Sequence, residues 1–115
     1  MILGIGTDII EIARIKKVNK AHRLAKRILS AEEFDKYTDI PNETRQAEFL
    51  AGRFAVKEAY SKALGSGIGG AVAFREINCL NDSLGKPSIV NDGRAHVSIS
   101  HSEAYAMAMV VLETQ

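Results

Sequence analysis

Between Asn42 and Gly65 the chain carries a helix with both of its ends written into the sequence and almost no face suited to water. Asn42 offers a side-chain oxygen to the first-turn amides, Glu43 complements the positive end of the helix dipole, and Gly65 supplies the left-handed residue that ends the helix. At 100° per residue, Phe49, Val56, Tyr60, Ala63 and Leu64 gather on one arc, while Ala47, Ala51, Ala55 and Ala59 form a smooth strip on another. A helix apolar on most sides has to be wrapped by the rest of the chain. With 115 residues, 46% of them hydrophobic, there is material for one core, so residues 1–115 are expected to form a single domain around residues 43–64.

The flanking segments supply the wrapping. Residues 2–11 alternate loosely, with Gly4 and Gly6 between isoleucines and a leucine, and this predicts a buried strand with close backbone contacts. Residues 12–28 read as one basic helix with Ile12, Ile15, Val18 and Leu24 as its apolar points. Ser30 and Glu33 make a capping box that opens a short helix through Tyr37, and Pro41 breaks the chain before Asn42. Beyond the long helix, residues 65–70 are a glycine-rich turn that lacks the phosphate-loop pattern and follows a helix instead of preceding one. Residues 75–80, 96–101 and 105–112 read as strands, and residues 81–87 as a turn. Both faces of 105–112 are apolar, which predicts a strand buried in a sheet or at a subunit interface.

Charge is distributed unevenly. Arg14, Lys16, Lys17, Lys20, Arg23, Lys26 and Arg27 fall within fourteen positions with no acid among them, leaving eight basic against fourteen acidic residues, a net −6, elsewhere. That basic end suits an acidic partner. A nucleic-acid role is disfavoured because aromatics make up 6% of the chain and none interleaves with the basic run. No run of 18 apolar residues predicts a membrane span, and the first residues carry Asp8 where a secretion signal would be basic and then apolar. The lone Cys79 suits a reducing compartment, so a soluble cytoplasmic protein is expected.

Three charged residues need an explanation. Asp8 lies within a strand, and Glu58 and Lys62, four apart, lie beside the alanine strip of a mostly buried helix. Two carboxylates from separate elements suit a hard cation that keeps waters and binds phosphates, which is the habit of magnesium, and Lys62 would neutralise a phosphate oxygen. Arg45, Arg53, Lys57, Lys86 and His101 are further candidates for holding a polyphosphate. Bottom-up, the residues point to a phosphate-handling domain. The alternative is a non-catalytic module that recognises an acidic protein or nucleic acid through residues 14–27.

The runs Gly4-Ile5-Gly6-Thr7-Asp8-Ile9-Ile10-Glu11-Ile12, Phe49 through Gly65 with its Phe54-Ala55-Val56-Lys57-Glu58-Ala59-Tyr60-Ser61-Lys62 centre, Leu84-Gly85-Lys86-Pro87 and Val97-Ser98-Ile99-Ser100-His101-Ser102 decide between these readings. From Met1 to Glu113 the chain resembles the holo-acyl-carrier-protein synthases, the small bacterial type of 4'-phosphopantetheinyl transferase. The resemblance implies an α+β fold, a small antiparallel sheet packed on one long central helix, assembled as a homotrimer with active sites between subunits. It implies magnesium-dependent transfer of the phosphopantetheine arm of coenzyme A to a serine of apo-acyl carrier protein, releasing 3',5'-ADP, in fatty acid biosynthesis. Asp8 and Glu58 would hold Mg2+, with Lys62 beside them as the third catalytic residue. Arg45, Arg53, Ser61, Gly65, Lys86, Pro87 and His101 match positions lining the coenzyme pocket. Arg14 and Arg23 would dock the acidic carrier. Neither a nucleic acid nor a membrane is an expected partner.

Overall fold

The computed structural model describes residues 1–65 and 73–115. The predicted turn at residues 66–70 lies outside the described residues. Strand β1 (Ile2–Glu11) runs into helix α1 (Ile12–Val18), a 3₁₀ turn (Lys20–His22), and helices α2 (Arg23–Ile28), α3 (Ala31–Thr38) and α4 (Glu43–Leu64). A second 3₁₀ turn (Phe74–Glu76) leads to β2 (Cys79–Asn81), β3 (Pro87–Ile89), β4 (Ala95–His101) and β5 (Tyr105–Glu113). The α+β expectation is met. An antiparallel sheet of order β1-β5-β4 packs one face on α4, and β2 and β3 form a separate antiparallel ribbon.

Helix α4 begins and ends where its cap residues predict. Asn42 accepts from the Arg45 amide at 3.0 Å, and Gly65 closes the helix at φ 81°. The capping box of α3 also forms, Ser30 Oγ accepting from the Glu33 amide at 3.1 Å while Glu33 Oε1 accepts from the Ser30 amide at 2.8 Å.

Helix and strand meet at a seam without side chains. A Cβ on Gly6 would collide with the carbonyl oxygen of Ala59, and one on Gly4 with that of Ala63. The two glycines of β1 therefore let its backbone lie directly on the small-residue edge of α4. Along its length α4 contributes to two apolar clusters. One holds Val56, Tyr60, Ile77, Ile89, Val110 and Leu112, and the other Ile12, Ile15, Ala25, Ile28, Leu29, Tyr37 and Leu50.

Three expectations need correction. Residues 12–28 are not one helix, because Ala21 and His22 take φ of 54° and 58° and break it. On a straight helix Ile12 and Ile15 would point about 140° away from Ala25 and Ile28, whereas the break turns both pairs into the same core cluster. Residues 75–80 are not one strand, since their first half is the 3₁₀ turn and β2 starts only at Cys79, where it pairs with the unexpected β3. Strand β1 is not buried on both faces. It is a sheet edge whose outer residues stand in water, Ile5 60% and Ile9 65% exposed. Central strand β5 behaves alike, with Ala106, Ala108, Val110 and Leu112 turned inward and Tyr105, Met107 and Met109 outward.

Candidate active site

The glycine seam sets the position of the first group of charges. Asp8 follows Gly6 by two residues, on the same inner face of β1, and so faces the flank of α4 that carries Glu58 and Lys62. Lys62 Nζ donates to the Thr7 carbonyl at 2.9 Å and reaches Asp8 Oδ1 at 3.3 Å. The Lys62 side chain remains half-exposed while Asp8 is mostly covered. Burial pushes the Glu58 carboxyl above the ordinary carboxylate range, the negative charge of Asp8 pushes the same way, and Lys62 opposes both. Asp8, Glu58 and Lys62, separated by fifty residues of chain, thus form one cluster.

The donor chemistry of that cluster fits magnesium. It offers two hard carboxylates from different elements, which repel each other until a cation joins them. Among the described residues no three His, Cys, Asp or Glu side chains converge, so a divalent ion here would complete its shell with water and substrate oxygens.

The second group lies on the other side of α4. A cleft of about 250 Å³ is lined by Arg45, Glu48, Phe49, Gly52 and Arg53 of α4, Ile99 and His101 of β4, and Asn81, Gly85 and Pro87 from the ribbon. Gly52 keeps it open, because a Cβ there would press on Ile99 Cγ2 at 3.3 Å. His101 Nδ1 lies 3.4 Å from Glu48 Oε2, and the exposed Arg45 extends past the same carboxylate at 3.8 Å. Arg53 is buried over the Phe49 ring at 4.6 Å and donates to the Cys79 carbonyl at 3.1 Å and Asn81 Oδ1 at 2.8 Å, so it braces the cleft wall.

Other candidates fall elsewhere. Ser61 is buried, and its hydroxyl turns back to the Lys57 carbonyl at 2.9 Å. Gly65 caps α4 at the end nearest Lys62. Lys86 is exposed in the β2–β3 turn beside the cleft, next to Pro87 in its wall. Lys57 does not stand ready for a phosphate, because it is sealed in the core against Glu33. Arg14 and Arg23 are exposed on α1 and α2. Glu48, Gly52 and Asn81 were not anticipated in the cleft. The first two had a legible signal, since positions 45, 48, 49, 52 and 53 recur at helical spacing on one face.

The family model of the 4'-phosphopantetheinyl transferase superfamily matches residues 4–110. The chain belongs to that superfamily. Among its transferase relatives, the holo-[acyl-carrier-protein] synthase of Staphylococcus epidermidis is 56% identical over 114 residues, covering 98% of this chain and 97% of that protein. The structure of the holo-(acyl-carrier-protein) synthase of Bacillus anthracis in complex with CoA (3',5'-ADP) superposes with a TM-score of 0.91 at 47% identity, covering 100% of this chain and 99% of that one. The Helicobacter pylori holo-[acyl-carrier-protein] synthase in complex with coenzyme A gives 0.80 at 34% identity, covering 95% and 99%. No described helix of this transferase-superfamily chain is long and apolar enough to cross a membrane.

Proposed function

We propose that this chain transfers the 4'-phosphopantetheine arm of coenzyme A to a serine hydroxyl of apo-acyl carrier protein, releasing 3',5'-ADP, in fatty acid biosynthesis. The convergence of Asp8, Glu58 and Lys62 at the glycine seam, in a chain that matches the superfamily over residues 4–110, carries this reading. Asp8 and Glu58 would hold Mg2+, which would supply the positive charge that polarises the pyrophosphate and eases departure of the nucleotide. The serine oxygen forms the new bond to the β-phosphorus of the pyrophosphate as the bond from that phosphorus to the bridging oxygen breaks, 3',5'-ADP leaves with that oxygen, and the serine proton is lost to solvent. Lys62, already drawn to Asp8, places its cation where charge accumulates on the phosphoryl oxygens. Arg45, His101, Lys86 and Pro87 line the coenzyme pocket, Arg53 braces its wall, and Ser61 and Gly65 shape the α4 end near Lys62. Arg14 and Arg23 dock the acidic carrier by charge complementarity.

The enzyme acts as a homotrimer. Asp8 lies on the β1 edge of the sheet and His101 on the β4 edge, with α4 running over the sheet between them, and among the described residues none of Asp8, Glu58 and Lys62 lines the cleft. Pairing the cluster of one subunit with the cleft of the next completes a site. The outward Ile5, Ile9, Tyr105, Met107 and Met109 supply an apolar face for that contact. One domain spans residues 1–115, and the enzyme works in the cytoplasm, where the buried free Cys79 stays reduced.

The test is the intact mass of an apo-acyl carrier protein after incubation with this chain, coenzyme A and magnesium, beside a sample in excess chelator. A gain of one phosphopantetheine arm only with metal is expected. No gain on a competent carrier with folded enzyme would overturn the reading and favour a binding module using residues 14–27.

A further inference from the structure

The break in the basic segment is held by a buried hydroxyl. Ala21 and His22 both take left-handed backbone, unfavourable for residues with a Cβ, so something must hold the chain there. Close packing alone does not, because Ala21 and His22 are exposed and the turn borders an open cleft of about 310 Å³ that is lined also by Ile15, Asn19, Tyr37 and Ala47. Polar contacts do. Asn19 Nδ2 donates to Tyr37 Oη at 2.9 Å, and His22 Nδ1 lies 2.6 Å from the same oxygen. With Asn19 donating, the phenol hydrogen is free to point at His22 Nδ1. Asn19 Oδ1 also accepts from the Ala25 amide at 3.0 Å and so starts α2. Tyr37 is itself anchored, since its carbonyl accepts from Gln46 Nε2 of α4 at 3.0 Å and its ring is 1% exposed.

We propose that Tyr37 is the positioning residue of the carrier-docking surface: its hydroxyl, clamped between Asn19 and His22, sets the angle between α1 and α2 and thereby the spacing of Arg14 and Arg23. The inference rests on the docking reading given above. A residue buried this deeply cannot touch a protein partner, so any effect it has on carrier recognition passes through the basic helices. Arg14 and the lysines at 16 and 17 belong to α1, and Arg23, Lys26 and Arg27 to α2, so the break divides the basic surface into two rigid pieces. Through Gln46 the same tyrosine relates both pieces to the helix that carries Glu58 and Lys62.

Tyr37→Phe removes one oxygen and keeps the ring. The KM for apo-acyl carrier protein is expected to rise roughly fivefold, as for loss of a net hydrogen bond, while kcat at saturating carrier and the KM for coenzyme A stay at parental values. In a double-mutant cycle, Arg23→Ala costs less in the Tyr37→Phe background than in the parent, and Arg14→Ala costs the same in both. An unchanged carrier KM, or equal rises for carrier and coenzyme, overturns the inference. If Arg14→Ala and Arg23→Ala by themselves leave the carrier KM unchanged, the docking reading fails first, whatever Tyr37→Phe does. Should Tyr37→Phe melt below assay temperature, His22→Ala opens the same bond from an exposed side chain, and the same cycle with Arg23 decides.

Discussion

Lys57 donates to Glu33 at 2.7 Å with neither side chain reaching water. The ammonium also donates to the carbonyls of Phe74, at 2.9 Å, and Ile77, while Glu33 accepts from the amides of Ser30 and Cys79. Burial pulls the Lys57 pKa down and Glu33 opposes it. The pair therefore fastens α3, α4 and the 74–79 segment at one point. Lys57→Met, which removes the buried counter-ion of Glu33, is expected to lower unfolding free energy by about 3–5 kcal/mol in urea titration. Adding Glu33→Gln should recover part of that loss. Full parental stability in the single variant would refute the assignment.

The seam makes the second prediction. Gly6→Ala drives a methyl into the Ala59 carbonyl, so β1 must move off α4 and carry Asp8 with it. A loss of about 3 kcal/mol, typical of severe overpacking, should accompany a fall in turnover, measured by denaturant midpoint and carrier modification. Gly85→Ala has open space around it and leaves the seam untouched, and its strain is confined to a left-handed turn position.

Glu58 can be tested without disturbing the fold. Glu58→Gln keeps the shape and removes the charge, so turnover with magnesium should drop roughly 100-fold or more, the scale for loss of a group stabilising a transition state. The melting temperature should hold or rise slightly, because the carboxylate is strained by burial and by Asp8. Retained activity would exclude Glu58 as a metal ligand.

Assembly has its own readout. Ile9 is 65% exposed in the single chain, so Ile9→Lys should be nearly neutral for an isolated subunit, within about 0.5 kcal/mol. In a trimer built on the outer sheet face it would place charge in an apolar contact. Sedimentation velocity should then show monomers, with turnover lost although cluster and cleft are both intact. A trimer of parental stability would exclude that face.

The cluster at β4 predicts a pH dependence. Hydrogen bonds from Arg94, with a further one from Tyr60, outweigh burial and hold Asp92 at about 2, below its ordinary 3.8. A depressed carboxylate stabilises the fold fully above its unfolded pKa, and that contribution fades as pH falls from about 4 towards 2. Burial, then the bond to Asp92, lifts Tyr60 to about 12, so its contribution is full below about pH 10 and fades above it. Asp92→Asn should flatten the acid limb of the stability–pH curve followed by thermal melts and reduce the alkaline limb only in part, because burial of Tyr60 remains. An unaltered acid limb would count against the Asp92 pairing.

Local chemistry is legible in the sequence alone. Asn42, Gly65 and the Ser30–Glu33 box act within one turn of themselves, so the ends of α3 and α4 follow from neighbouring residues alone. The charges of Asp8, Glu58 and Lys62 were conspicuous in apolar surroundings, and their convergence was expected from the resemblance. Lys57 looked equally available, and only its depth against Glu33 separates it from Lys62, because burial belongs to the packed molecule. The break at Ala21 and His22 likewise escapes a helical pattern, since two apolar pairs on opposed faces were brought to one core by a backbone bend. Sequence determined which residues carry charge, cap helices and avoid water. Tertiary structure decided which charges meet, since backbone contact between Gly6 and Ala59 joins positions fifty residues apart that no local rule connects.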